Sequence, residues 1–166
     1  MSIMAGTLHL VCGKIAAGKS TLCARLAAAP GTVLIGEDRW LKALFGDEMR
    51  ELADYVRVSA RLRGPMGGHV AALLEAGLDV VLDFPANTVE RRAWMKAIAE
   101  AAGAPHLLHF LDVTDDECRA RLHRRNEGGG HDFTVSDAQF ALFTRHFQPP
   151  AAAEGLNVVA AEQAGA

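Results

Sequence analysis

Residues Gly13-Lys14-Ile15-Ala16-Ala17-Gly18-Lys19-Ser20 follow the spacing G-x-x-x-x-G-K-[ST], and their flanks restrict what the chain can become. Before them stands an apolar, strand-like run, Leu8-His9-Leu10-Val11-Cys12; after them comes an alanine- and leucine-rich, helix-like stretch from Lys19 to about Ala28, closed by Pro30-Gly31. A strand that turns through glycines into a helix opens an α/β unit, and the turn itself reads as a phosphate-binding loop. Glycines let backbone N–H groups close around phosphate oxygens, and the helix beginning near Lys19 adds the positive end of its dipole. Lys19 is expected to reach the β- and γ-phosphates, and the Ser20 hydroxyl to ligate the magnesium that bridges them. Thr21 closes the predicted nucleotide-contact run, its side chain expected to point elsewhere.

A chain of 166 residues is long enough for one packed core and short for two, so a single domain over residues 1–166 is expected. Half the residues are apolar, yet no run approaches the roughly 18 residues needed to span a bilayer. The start Met1-Ser2-Ile3-Met4 lacks the basic segment of a signal peptide, which predicts a soluble, cytoplasmic protein. Cys12, Cys23 and Cys118 are odd in number and lie within apparent strands or helices, which suits reduced, packed thiols and not a disulfide frame or a zinc site. The net charge of −3 offers no global pull toward nucleic acid or an anionic membrane.

Apolar runs recur at Leu8–Cys12, Thr32–Ile35, Asp79–Leu82, His106–Leu111 and Leu156–Ala160, separated by helix-like stretches, and this alternation predicts a five-stranded, mainly parallel sheet. The expected helices are Ser20–Ala28, Arg39–Phe45, one within Asp47–Arg63, Met66–Ala76, Val89–Ala102, Asp115–Arg125 and Ser136–His146. Thr88, Thr114 and Ser136 are predicted N-caps, and Gly77 and Gly103 predicted C-terminal stops. Glu127-Gly128-Gly129-Gly130-His131-Asp132 reads as a mobile loop, with His131 expected in solvent, and the alanine-rich tail is expected to fray after its last short strand.

A phosphate-binding loop does not say where the phosphate goes; the carboxylates that follow narrow the choice. Asp38, at the end of the second strand, is the candidate general base for a substrate hydroxyl, with Glu37 as the alternate; Asp38 equally reads as the cap of a helix starting at Arg39. Asp83 ends Val80-Val81-Leu82-Asp83, the apolar-to-acidic pattern in which a carboxylate holds magnesium together with Ser20. Phe84-Pro85 follows it in place of a water-activating glutamate, which favours transfer to a substrate over hydrolysis. Arg121 and Arg125, four apart on one helical face, are candidates to offset charge on the transferring group, whereas Arg119 and Arg124 suit a solvated face paired with Asp115, Asp116 and Glu117. Arg57, Arg61 and Arg63 read as surface charge or an acceptor lining, and Trp40 and Trp94 as packing residues.

On Gly13–Ser20, Glu37-Asp38-Arg39-Trp40, Ala76–Asp83, Arg121–Asn126 and Phe147-Gln148-Pro149-Pro150, the chain resembles the small P-loop kinases grouped as AAA-domain predicted kinases, relatives of zeta toxin, chloramphenicol phosphotransferase and polynucleotide kinase. The resemblance implies a three-layer α/β P-loop NTPase fold with a small lid over about residues 121–135. It implies ATP and magnesium at Lys19 and Ser20, Asp38 as base, and Arg121 and Arg125 as lid arginines. The expected activity is phosphate transfer to a small-molecule hydroxyl, with a nucleic-acid 5'-end kinase and a nucleotide-binding regulatory switch as rivals. Phe84-Pro85-Ala86-Asn87 departs from the small pair that many relatives carry after the third-strand Asp, and the departure is expected to fall in the acceptor pocket.

Overall fold

The computed structural model describes residues 2–129 and 134–161. Its strands are β1 (Leu8–Gly13), β2 (Thr32–Gly36), β3 (Asp79–Asp83), β4 (His106–Leu111) and β5 (Val158–Ala160), ordered β2-β3-β1-β4-β5 in one sheet with every pairing parallel. The helices are α1 (Lys19–Ala27), α2 (Glu37–Phe45), α3 (Leu52–Glu75), α4 (Val89–Ala101), α5 (Asp115–Glu127) and α6 (Asp137–Arg145). Alternate residues of the central strands feed two cores, as strands buried on both faces require. Leu8, Leu10 and Cys12 of β1 pack with Leu41 of α2, Val58, Leu62 and Met66 of α3, and Met95 of α4. Val11 faces the other way, onto Leu22 and Cys23 of α1, Cys118 and Leu122 of α5, and Phe140 of α6. This is the three-layer α/β P-loop NTPase architecture. Among the described residues no helix is long and apolar enough to cross a membrane.

Side-chain oxygens of Thr88, Thr114 and Ser136 accept hydrogen bonds from the third residue of α4, α5 and α6, each capping its helix. Gly77 and Gly103 take the left-handed conformation after α3 and α4, with φ of 86° and 61°. Two expectations are corrected. The stretches within Asp47–Arg63 and Met66–Ala76 form one 24-residue helix, α3, with Pro65 inside it. Buried Val58, Leu62, Met66, Val70 and Leu74 recur every fourth residue across Pro65, so one apolar stripe holds the helix together through a residue that withdraws a backbone donor. The second correction concerns α2, which starts at Glu37 with Gly36 as its cap, so Asp38 lies inside the first turn and does not cap it. Residues 130–132 of the predicted loop, His131 included, lie outside the described residues, as does the end of the tail beyond 161.

Candidate functional site

The loop from Gly13 to Gly18 caps the C-terminal end of β1, the central strand. Gly13 is buried, and a Cβ there would stand 3.1 Å from the Ala17 Cβ and 3.2 Å from the Leu111 Cβ, so strand and loop approach closely and a side chain would fit only if its neighbours shifted. Gly18 takes φ 102° where the chain enters α1. Ala16, at φ 63°, is the one non-glycine residue with positive φ among those described, and it marks local backbone strain in the loop. The Lys19 ammonium folds back over the loop, donating to the carbonyls of Gly13 at 2.6 Å and Lys14 at 2.7 Å. Burial pushes its pKa down, and Cys12, Asp83, Cys118 and Cys23 nearby pull it back up. A desolvated cation resting on backbone carbonyls is matched to an anion, and the loop's residues fit a phosphate chain. Ser20 and Thr21 are exposed in the first turn of α1, and Ile15 and Ala17 pack into the α1 side of the sheet. The Lys14 side chain turns away from the loop to Asp115 at the start of α5, at 2.6 Å.

Asp83 ends β3 beside the loop, half-buried. Burial pushes its pKa up, while the Cys23 thiol, donating to it, and the Lys19 charge oppose that, and Asp38 adds to it. The same contact helps push the Cys23 pKa up to about 12, after burial itself. Asp83 at the end of β3 and Ser20 in the first turn of α1 carry oxygen donors of the kind magnesium takes, and the half-buried Asp83 carboxylate fits a role in holding a divalent ion. Among the described residues no group of three or more His, Cys, Asp or Glu could hold a metal ion.

Asp38 is exposed on the β2 side, close enough to Asp83 to raise its pKa. Glu37 is 1% exposed and turns inward: Tyr55 donates to it at 2.5 Å and Ser59 at 3.1 Å, and Arg91 stands 3.7 Å off. From the other layer, Arg121 of α5 donates to the Ala17 carbonyl at 3.2 Å and to Glu117 at 2.6 Å. One turn later the buried Arg125 Nε has no hydrogen-bond partner among the described residues. Arg119 pairs with Asp116. Arg57 pairs with Glu48 and Asp54, Arg61 lies over the Phe45 ring and Arg63 over the Trp94 ring. Trp94 packs, tilted, on Phe84, whereas Trp40 is 39% exposed. A cavity of about 330 Å³ opens on the β4 side of the loop, lined by Lys14, Phe110, Asp112, Asp115, Thr144 and Phe147.

Sequence reasoning missed how the segment after Asp83 is used. Phe84 and Ala86 are buried in the core, and the Asn87 amide oxygen accepts from the Gly13 N–H at 3.2 Å and from the Cys12 thiol. The departure from the small pair therefore braces the phosphate loop at Asn87. Fully buried Arg92 was also missed; it donates to Ala86, Gln148 and Glu154, tying α4 to the chain end. No local pattern announces either residue.

A family model described as an AAA domain matches residues 8–150. Among the curated proteins no sequence match is found. Several solved structures are similar in fold. A candidate kinase from Chloroflexus aurantiacus has 21% identity and a TM-score of 0.73, over 96% of this chain and 86% of that one. A gluconokinase from Sinorhizobium meliloti has 16% identity and a TM-score of 0.60, over 100% and 86%. The APS kinase of Mycobacterium tuberculosis, solved with AMPPNP and APS, has 20% identity and a TM-score of 0.58, over 89% and 84%. At these identities the likeness carries the fold and leaves the acceptor open.

Proposed function

The chain belongs to the AAA domain family, in a P-loop kinase-like form, and from that premise we propose that it transfers the γ-phosphate of ATP, with magnesium, to a hydroxyl of a small molecule. The observation that supports this reading is the placement of Lys19, Asp83 and Asp38 at the C-terminal ends of adjacent strands, with the Asp83 carboxylate feeling the charges of both Lys19 and Asp38. The loop N–H groups and Lys19 would hold the phosphates, and Ser20 and Asp83 would hold a magnesium ion, which when bound would supply charge to offset that of the phosphate oxygens. Asp38 accepts the proton of the acceptor hydroxyl as its oxygen bonds to phosphorus and the bond to the ADP oxygen breaks. Arg121 and Arg125 stabilise the charge on the transferring group. Phe84, buried where a hydrolase would carry a water-activating carboxylate, favours an acceptor over water. Such an enzyme would work as a soluble cytoplasmic protein, with Arg121 and Arg125 of α5 as its lid arginines.

The test is a γ-labelled ATP transfer screen with magnesium against pooled sugars, hydroxylated antibiotics, nucleosides and 5'-hydroxyl oligonucleotides, with Lys19→Ala as the blank. The expected result is a labelled small molecule whose formation falls about 10²- to 10⁴-fold in Asp38→Asn with nucleotide affinity nearly unchanged. An undiminished rate in that variant would overturn Asp38 as base, and a labelled oligonucleotide alone would overturn the small-molecule acceptor.

A further inference from the structure

Only two residues of α2, Glu37 and Leu41, are buried, and they lie one turn apart on the same face. Leu41 enters the core, but Glu37 takes a charged group into a site where an aliphatic side chain would pack at lower cost. Buried ion pairs are weak sources of stability, so the presence of this carboxylate calls for another role. Its partners come from two other helices: Tyr55 and Ser59 lie one turn apart on α3, and Arg91 lies in the first turn of α4, where it also donates to Ser59 at 3.4 Å. Successive helical residues are rotated by about 100°. Fixing Glu37 inward therefore fixes where Asp38, the next residue, projects. The geometry points to Glu37 as the positioning residue for Asp38: clamped by Tyr55, Ser59 and Arg91, it sets the rotation of α2 about its axis and so aims the Asp38 carboxylate at the acceptor hydroxyl. This inference rests on Asp38 acting as the base. It also separates the two neighbouring carboxylates by task, since Glu37, engaged on every side by α3 and α4, is not the group that meets the substrate.

Tyr55→Phe and Ser59→Ala each remove one donor from the clamp with little change in shape, and each is compared with wild type in two measurements. In the first, kinetics on an acceptor found by the labelled screen should show kcat lower by about 10- to 100-fold, with KM for ATP within about twofold. In the second, hydrogen exchange of the Leu41 and Lys42 amides, which close the first turn of α2, should speed up by about tenfold, while amides within α1 keep their protection. A merely structural role would lower melting temperature and leave kcat on the remaining folded enzyme unchanged, and that outcome overturns the proposal. Unchanged exchange at Leu41 and Lys42 overturns it as well. A wild type that labels no acceptor refutes the phosphotransfer reading alone, and the exchange measurement then decides by itself whether the clamp holds the turn.

Discussion

Arg92 is the largest fully buried side chain, and its guanidinium forks onto both Glu154 oxygens at 2.8 and 3.1 Å while also meeting the carbonyls of Ala86 and Gln148. The partner carboxylate responds: hydrogen bonding to Arg92 holds the Glu154 pKa below its usual value. Arg92→Met would leave Glu154 without its counter-ion and two carbonyls without donors, and it is expected to lower the unfolding free energy by about 3–5 kcal/mol. Equilibrium urea unfolding checks this; a loss under about 1 kcal/mol would mean that the chain end relaxes to solvate both carbonyls. The contrast with Lys19 explains what could be read in advance. Lys19 is recognisable because its partners, the carbonyls of Gly13 and Lys14, lie within six positions of it and the motif encodes them. Arg92 meets Glu154 across 62 positions and Asn87 meets Gly13 across 74, so nothing near either residue in the chain announces its task.

At the level of elements, the same division separates strands and caps from the long helix. Thr88, Thr114 and Ser136 cap as local chemistry dictates, because the bonded N–H is three residues away. In α3, Gly64-Pro65 and Gly67-Gly68 signal a break, yet the apolar stripe from Val58 to Leu74 keeps its four-residue spacing, and packing against α4 outweighs the breakers. Pairing between strands carries its own prediction. His9 of β1 and His109 of β4 stack with ring centroids 5.2 Å apart, with His9 Nδ1 and His109 Nε2 within hydrogen-bond distance at 3.0 Å. Burial lowers the pKa of His9, opposed by Asp79 beside it; burial and then His9 lower that of His109. Below the ordinary value of 6.5, and down to these lowered values, the unfolded chain binds more protons than the native one. The pair's contribution is therefore fully present above about pH 6.5 and is lost as pH falls through that window. Urea midpoints measured from about pH 7.5 to about pH 5.5 should fall in wild type and fall less steeply in His109→Asn. Parallel curves for the two proteins would remove the pair from the account.

Over the whole molecule, the sheet order brings β1 between β3 and β4, so the phosphate loop lies where both layers of helices meet. The proposed base and its clamp come from α2, α3 and α4 on one face; the arginines come from α5 on the other. Alternation of strands and helices predicts parallel pairing, but the periodicity of any one strand is silent about its neighbours, which lie 70 to 100 positions away in β3 and β4. A ligand gripped by the loop therefore touches elements from both layers and should stabilise the native chain as a unit. Nucleotide with magnesium at about 100 times its Kd adds about 2.7 kcal/mol. For a chain of this size that raises the melting temperature by about 5–10 °C. On the proposed reading, in which Lys19 binds phosphate and Asp38 takes the acceptor proton, the two variants should divide: Lys19→Ala loses the shift, and Asp38→Asn keeps it. Chelation of magnesium should reduce the shift in wild type and in Asp38→Asn alike, since Ser20 and Asp83 are intact in both. Thermal unfolding with and without ligand reads all of this in one experiment, and a shift that survives in Lys19→Ala would mean that the nucleotide is held somewhere other than the loop.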